Sequence, residues 1–158
     1  MNTKELTTSE AQIRLEELCV KAERCEYELR EKLRRWRIPA DEAENIMQTL
    51  KTHKFVDNER FTRAYVNDKI KFARWGKRKV YQALTQKRIP SEIIREALDT
   101  VDADLYQSNL DDFFASKIKA HPELKDSFEG RTKLFRYAIS RGYEPSIASA
   151  TLRDILLG

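Results

Sequence analysis

Glycine and proline are scarce in this sequence, four of each among 158 residues. So small a supply cannot furnish the many tight turns of an all-β protein, and it favours helices joined by short connections. Cysteine is scarcer still. Cys19 and Cys25 lie close together with no second Cys/His pair to accompany them, which excludes a secreted disulfide framework and a zinc set. His53 and His121 stand alone and read as loop or helix-end residues rather than ligands or bases. A Gly-rich phosphate loop, an HExxH and a GxSxG are all missing. The abundant carboxylates alternate with Lys and Arg, as in "EYELREKLRR", the pattern of a salt-bridged solvent face. The chain therefore reads as non-enzymatic, with no cofactor and no metal. No apolar run approaches the roughly 18 residues of a membrane span. The opening "MNTKELTTSEAQIRLEEL" lacks the apolar stretch of a signal peptide, so the expected location is cytoplasmic, away from membranes.

What is present is charge. Charged residues make up 35% and hydrophobic ones 41%, enough for a thin core under a large wet surface. The length suits one domain or a short array of small units. Net charge is +4 and uneven: from Asn58 to Val101 there are 11 basic and 5 acidic residues, while the segments on either side are slightly acidic. Within the middle third, "IKFARWGKRKVYQALTQKRIP" (Ile70 to Pro90) holds no acidic residue. Such a field favours a polyanion or an acidic protein surface.

The sequence also repeats. "YELREKLRRWRIPADEAENIMQTL" (Tyr27 to Leu50) aligns with "RKVYQALTQKRIPSEIIREALDTV" (Arg78 to Val101), placing Arg37-Ile38-Pro39 on Arg88-Ile89-Pro90. Leu29, Leu33, Met47 and Leu50 fall on Val80, Leu84, Leu98 and Val101. A fainter copy, "TKLFRYAISRGYEPSIASATLRDIL", carries Leu134, Ala138, Leu152 and Ile155 at the same places, with Gly142 where the others have arginine.

Each copy predicts two helices and a tight joint. Cys25, Leu29, Leu33 and Trp36 recur at helical spacing, then Ala43, Ile46, Met47 and Leu50. Pro39, Pro90 and Pro145 open the second helix of each copy, where a missing N–H costs nothing. A further helix follows the first pair from an Asp57 N-cap, with Phe61, Ala64, Tyr65 and Phe72 on one face and Gly76 ending it in the left-handed conformation. Its counterpart after the second pair carries Leu110, Phe113, Phe114 and Ile118 and stops near His121-Pro122. "HPELKDSFEGR" then reads as a connector punctuated by Gly130. The expected boundaries are a leading helix over 1–23 and repeats over 24–75, 76–121 and 122–158, the last cut short after its second helix. A three-helix unit of this size gains by stacking on its neighbours.

The acid-free stretch has two readings. Lys and Arg can neutralise phosphate, and Phe72, Trp75 and Tyr81 could stack on unpaired bases. Equally, the charges could form a solvated face and the aromatics could pack between helices. The flanking helices mix signs freely and this stretch does not, which favours an anionic partner.

Three segments in order, "RCEYELREKLRRWRI", "FVDNERFTRAYVNDKIKFARWGKRKVYQALTQKRI" and "KLFRYAISRGYEPSIASATLRDI", resemble the RecX family of bacterial regulators of the RecA recombinase. The resemblance implies three tandem three-helix repeats in an elongated, curved all-α array, with an extra N-terminal helix. It also implies a non-enzymatic protein that binds the RecA nucleoprotein filament in its helical groove, blocks its extension or promotes its disassembly, so damping recombination, coprotease and ATPase activities, and can also bind DNA; the expected state is a monomer, with single- and double-stranded DNA as further partners. The sequence departs from the family pattern in three respects, the first being that Trp36 and Trp75 differ from the commonest family choices. Cys25 stands where a capping serine is usual, which weakens that cap or shifts it to Glu26. Arg37 and Arg88 replace joint glycines. The contact residues expected from charge are Lys71, Arg74, Lys77, Arg78, Lys79, Lys87 and Arg88, with Arg131, Lys133, Arg136 and Arg141 behind them. The rival readings are a stand-alone helical DNA-binding protein and a scaffold for protein partners alone.

Overall fold

A computed structural model describes residues 5–158, and among these the chain forms nine α-helices, one 3-10 turn and no strand. The helices are α1 (Thr8–Lys21), α2 (Glu26–Arg35), α3 (Ala40–Thr52), α4 (Asn58–Lys71), α5 (Lys77–Gln86), α6 (Ser91–Asp99), α7 (Ala103–Ala120), α8 (Phe128–Ser140) and α9 (Pro145–Leu157). No helix among the described residues is long and apolar enough to cross a membrane. The α2–α3, α5–α6 and α8–α9 pairs keep the register of the sequence repeat. Each pair is preceded by a helix whose N-cap side chain accepts backbone amides: Thr7 for α1, Asp57 for α4 and Asp102 for α7.

The Arg-Ile-Pro signature is a complete joint in three residues. Arg37 and Arg88 adopt φ of 57° and 61°, and Gly142, their counterpart, 97°. The residue after each turns inward: Ile38 and Tyr143 donate their amides back to Leu33 and Ala138 at 3.1 Å, closing the wide loop of a Schellman end. Ile38, Ile89 and Tyr143 are buried, the apolar contact that accompanies such an end. Proline then sits at the N-cap of α3 and α6 and at the first position of α9, outside the amide ladder. Lys54 and Arg74 end α3 and α4 in the same left-handed way. Among the described residues, the four non-glycine residues in that conformation are thus all cationic, and each lies just past a helix C-terminus, where the helix dipole favours positive charge.

The chain divides into two compact units. One holds the chain up to Ala64 together with Lys87–Ile89. Its core is Ala11 and Leu15 of α1, Leu29 and Leu33 of α2, Ile46, Met47 and Leu50 of α3, and Ile38 and Val56, with Trp36, Ala43 and Phe55 packed against it. The other holds Tyr65–Gln86 and Pro90–Gly158. Here Val80, Leu84, Ile94, Leu110, Phe114, Leu134, Ala138, Tyr143 and Ala148 are buried, and α7 packs on both α8 and α9.

Four local expectations are corrected. The buried face of α4 is Phe61, Thr62, Val66 and Ile70, following steps of four, whereas Ala64 is exposed and Phe72 is 71% exposed. Phe72 lies two residues past Ile70, roughly 200° around the helix, so it cannot share that face. Gly76 does not take the left-handed conformation that ends α4; Arg74 does. Gly130 is not punctuation in a connector but a buried residue inside α8, where a Cβ would come within 2.2 Å of the Leu124 carbonyl. The cap of α2 stays at Cys25, since the Glu28 carboxylate accepts from its amide and its thiol, both at 3.3 Å.

Candidate interaction surface

The joint between α4 and α5 is where the acid-free stretch turns. Its main chain is held from elsewhere in the same unit. Gly76 donates its amide to the Arg141 carbonyl at 2.7 Å, and Arg78 donates to the Gly142 carbonyl at 3.0 Å. The Lys77 amide donates to the Tyr106 hydroxyl at 2.9 Å, and that hydroxyl in turn donates to the Glu144 carboxylate. Tyr143 and Arg141 donate to the carbonyls of Arg74 and Ala73 at 2.8 and 2.6 Å, and Asn109 donates to that of Ile70 at 2.9 Å. Gly76 is required here for room: a Cβ on it would lie 2.1 Å from the main chain of Gly142 and Tyr143. Burial pushes the Tyr143 hydroxyl up to about 12 and raises that of Tyr106 further, so both remain protonated donors at neutral pH.

A helix N-terminus ordinarily offers free amides to an anion. At α5 three of those amides are already taken, so any attraction for anions falls to side chains. Lys79 and Lys69 place their ammonium groups 4.4 and 4.8 Å from the centre of the Trp75 ring. Lys77 lies 5.2 Å over Tyr106 and Lys71 5.8 Å over Phe72. These are cation–π distances, so the aromatics hold the lysines near the joint. Arg78 and Lys71 are exposed, and Arg74 reaches Asp112 at 3.6 Å with more than half of its side chain in solvent. The α5 first turn has no acidic residue to offset the lysines.

The remaining expected residues are placed differently. Lys87 and Arg88 belong to the other unit, where Lys87 approaches Glu28 at 4.0 Å and Arg88 lies 5.6 Å over Tyr27. Arg131, Lys133 and Arg136 are exposed on α8. Arg141 is half-buried and its guanidinium braces the turn after α4. The residues that position the joint, Tyr106, Asn109, Tyr143 and Glu144, were not singled out by the sequence. The nearest signal was Tyr143, which occupies the place of Ile38 and Ile89 with a residue that can donate a hydrogen bond. Tyr81 is half-buried, so its ring is only partly available for stacking. Among the described residues no group of three or more His, Cys, Asp or Glu side chains could hold a metal.

Helix pairs closed by left-handed joints, each preceded by a capped helix, define an all-α protein of tandem three-helix units. The family description "RecX, second three-helix domain" matches residues 57–98, which span α4, α5 and α6 almost to its end. Regulatory protein RecX of Clostridium beijerinckii is 26% identical over 137 residues, covering 86% of this chain and 63% of that protein. Regulatory protein RecX of Clostridium tetani is 30% identical over 117 residues, 72% of this chain and 52% of that one. The Prosthecochloris aestuarii protein of the same name is 27% identical, with 85% of each chain covered. The crystal structure of RecX from Lactobacillus salivarius superposes with a TM-score of 0.84 at 17% identity, covering 96% of this chain and 97% of that one, a likeness of fold. The chain is thus similar to RecX proteins over most of its length, and residues 57–98 match the family's second three-helix domain. It spans about 63% of the length of the Clostridium beijerinckii relative.

Proposed function

We propose that this protein is a cytoplasmic, non-enzymatic regulator that binds a RecA nucleoprotein filament. It inhibits the filament's recombinase, ATPase and coprotease activities by occupying its surface. The observation that carries the reading is the α4–α5 joint. Lys71, Arg74, Lys77, Arg78 and Lys79 lie there, with no acidic residue in the first turn of α5 and only Asp112, beside Arg74, as an ion-pair partner, on a main chain where three N-terminal amides are already taken. Such a cluster suits acidic protein surface or DNA phosphate. Arg131, Lys133 and Arg136, exposed on α8, and Lys87 and Arg88 in the other unit are further candidate contacts, while Arg141 serves the turn. Similarity to relatives that carry the name regulatory protein supports the same reading.

The test is the ATPase rate of RecA on single-stranded DNA with the purified protein added. Inhibition is expected, and changing Lys77, Arg78 and Lys79 together to Glu abolishes it while the helical circular dichroism stays intact. Because Lys77 and Lys79 lie over rings, a Lys71→Glu, Arg78→Glu double variant of exposed residues serves as a second probe. Undiminished inhibition by both variants would sink the proposal. Tight, steeply salt-dependent binding to bare DNA in the absence of RecA would instead favour a stand-alone DNA-binding protein.

A further inference from the structure

The α2–α3 and α8–α9 pairs share one register, yet the same face of each pair carries opposite chemistry. In the first pair, Arg30 bonds Glu44 at 2.7 Å and lies 3.7 Å from Glu26, and Lys51 reaches Glu26 at 3.3 Å. The Arg30 guanidinium and the Gln48 amide hold the Glu44 carboxyl down at about 2. That face is a closed lattice of ion pairs in solvent. In the last pair the positions of Glu26, Arg30, Glu44 and Lys51 become Arg131, Phe135, Ser149 and Leu156. The lattice is gone, and a groove of about 570 Å³ runs between α8 and α9. Phe135, Leu152 and Leu156 line it, Phe128 stands at one end 78% exposed, and Arg131 and Arg153 are exposed on its lining, which includes no carboxylate.

We propose that this groove is a docking site for an acidic amphipathic helix of a protein partner. The apolar lining supplies a strip for side chains at helical spacing, the usual way a groove reads an amphipathic helix. The two arginines select carboxylates beside that strip, because a guanidinium pairs with a carboxylate through two parallel bonds. Charge complementarity identifies the occupant: a basic helix would meet two uncompensated arginines, and a nucleic-acid strand would leave the apolar lining unused. The site is separate from the α4–α5 joint and does not rest on the RecA reading.

The experiment uses the full chain and two fluorescein-labelled helical peptides. Both carry leucines at helical spacing; one is flanked by glutamates and the other by lysines. Fluorescence anisotropy should show saturable binding of the glutamate peptide and at least roughly tenfold weaker binding of the lysine peptide. An Arg131→Glu, Arg153→Glu variant, altered only at exposed positions, should reverse that preference. Phe128→Asp should weaken the glutamate peptide by about tenfold. Equal binding of both peptides, binding of neither, or a preference unmoved by the arginine reversal would overturn the proposal. So would displacement of the glutamate peptide by a single-stranded oligonucleotide at comparable concentration. Sedimentation showing a dimer that Phe128→Asp dissolves would also overturn it, by making a second copy of the chain the occupant.

Discussion

Tyr143 donates its hydroxyl to the main-chain carbonyl of Arg74 at 2.8 Å. The bond ties the residue after the α8–α9 joint to the left-handed residue that ends α4, and so holds the basic joint in place. Removing the hydroxyl with Tyr143→Phe keeps the ring and should cost about 1 kcal/mol. Tyr106→Phe should cost more, about 1–3 kcal/mol, because it leaves both the Lys77 amide and the Glu144 carboxylate without that partner. Urea unfolding checks both, with a lower midpoint at unchanged slope as the expected result.

The same two tyrosines set an alkaline limit. In the unfolded chain a tyrosine ionises near pH 10, whereas folded Tyr143 holds its proton to about 12. The unfolded state therefore loses its proton first as pH rises. Stability from this group is complete below about pH 10 and declines between about 10 and 12. Tyr106 is raised in the same direction. Denaturation midpoints measured across that window should fall, and a variant with Phe at both positions should fall less steeply.

Arginine in the left-handed region costs about 1–2 kcal/mol relative to right-handed backbone. Glycine removes that cost but adds about 0.4–1 kcal/mol of unfolded-chain entropy. Arg37→Gly and Arg88→Gly should each therefore stabilise by about 0.5–1 kcal/mol, read as a rise in thermal midpoint. Gly142→Ala should do the opposite, since φ there is 97° and a Cβ would fall 2.3 Å from the Cβ of Lys79. A loss of stability in both arginine variants would show that the guanidinium's interaction with the helix end outweighs the backbone strain.

Gly76→Ala should be worse than any of these. The added methyl would meet main chain rather than a flexible side-chain tip, at 2.1 Å. A cost beyond about 3 kcal/mol is expected, seen as loss of cooperative unfolding or of the folded spectrum. A cost below about 1 kcal/mol, within the ordinary range for a single substitution, would refute the close approach.

The two cysteines should differ in reactivity. Cys25 is fully buried, and burial pushes its thiol up to about 11, so at pH 8 only about one molecule in a thousand is thiolate. Cys19 is half-buried and its thiol is raised as well. Iodoacetamide labelling of the native protein followed by mass spectrometry should give a slow single adduct at Cys19, with Cys25 labelled only after denaturation. Prompt native labelling of Cys25 would contradict its burial at the α2 cap.

The sequence by itself determined the helix pairs and their joints. Arginine or glycine past the helix end, a buried Ile or Tyr next, and a proline at the following start act within about six residues, through backbone geometry and one local apolar contact. Local information therefore sufficed, and the offsets between copies carried the pattern along the chain. The excess of positive charge near the α4–α5 joint was also legible, because it is a matter of composition. Only the tertiary structure decided what Gly76 is for, because the main chain it must accommodate lies at Gly142 and Tyr143, remote in sequence. It alone showed that three amides at the start of α5 are already taken and that Lys77 and Lys79 lean on Tyr106 and Trp75. It also showed that Phe72 faces outward, and that a face which is an ion-pair lattice in the first pair is an apolar groove in the last. These features depend on which side of a helix meets another element. That choice is made by burial over the whole unit rather than by any residue's neighbours in the chain.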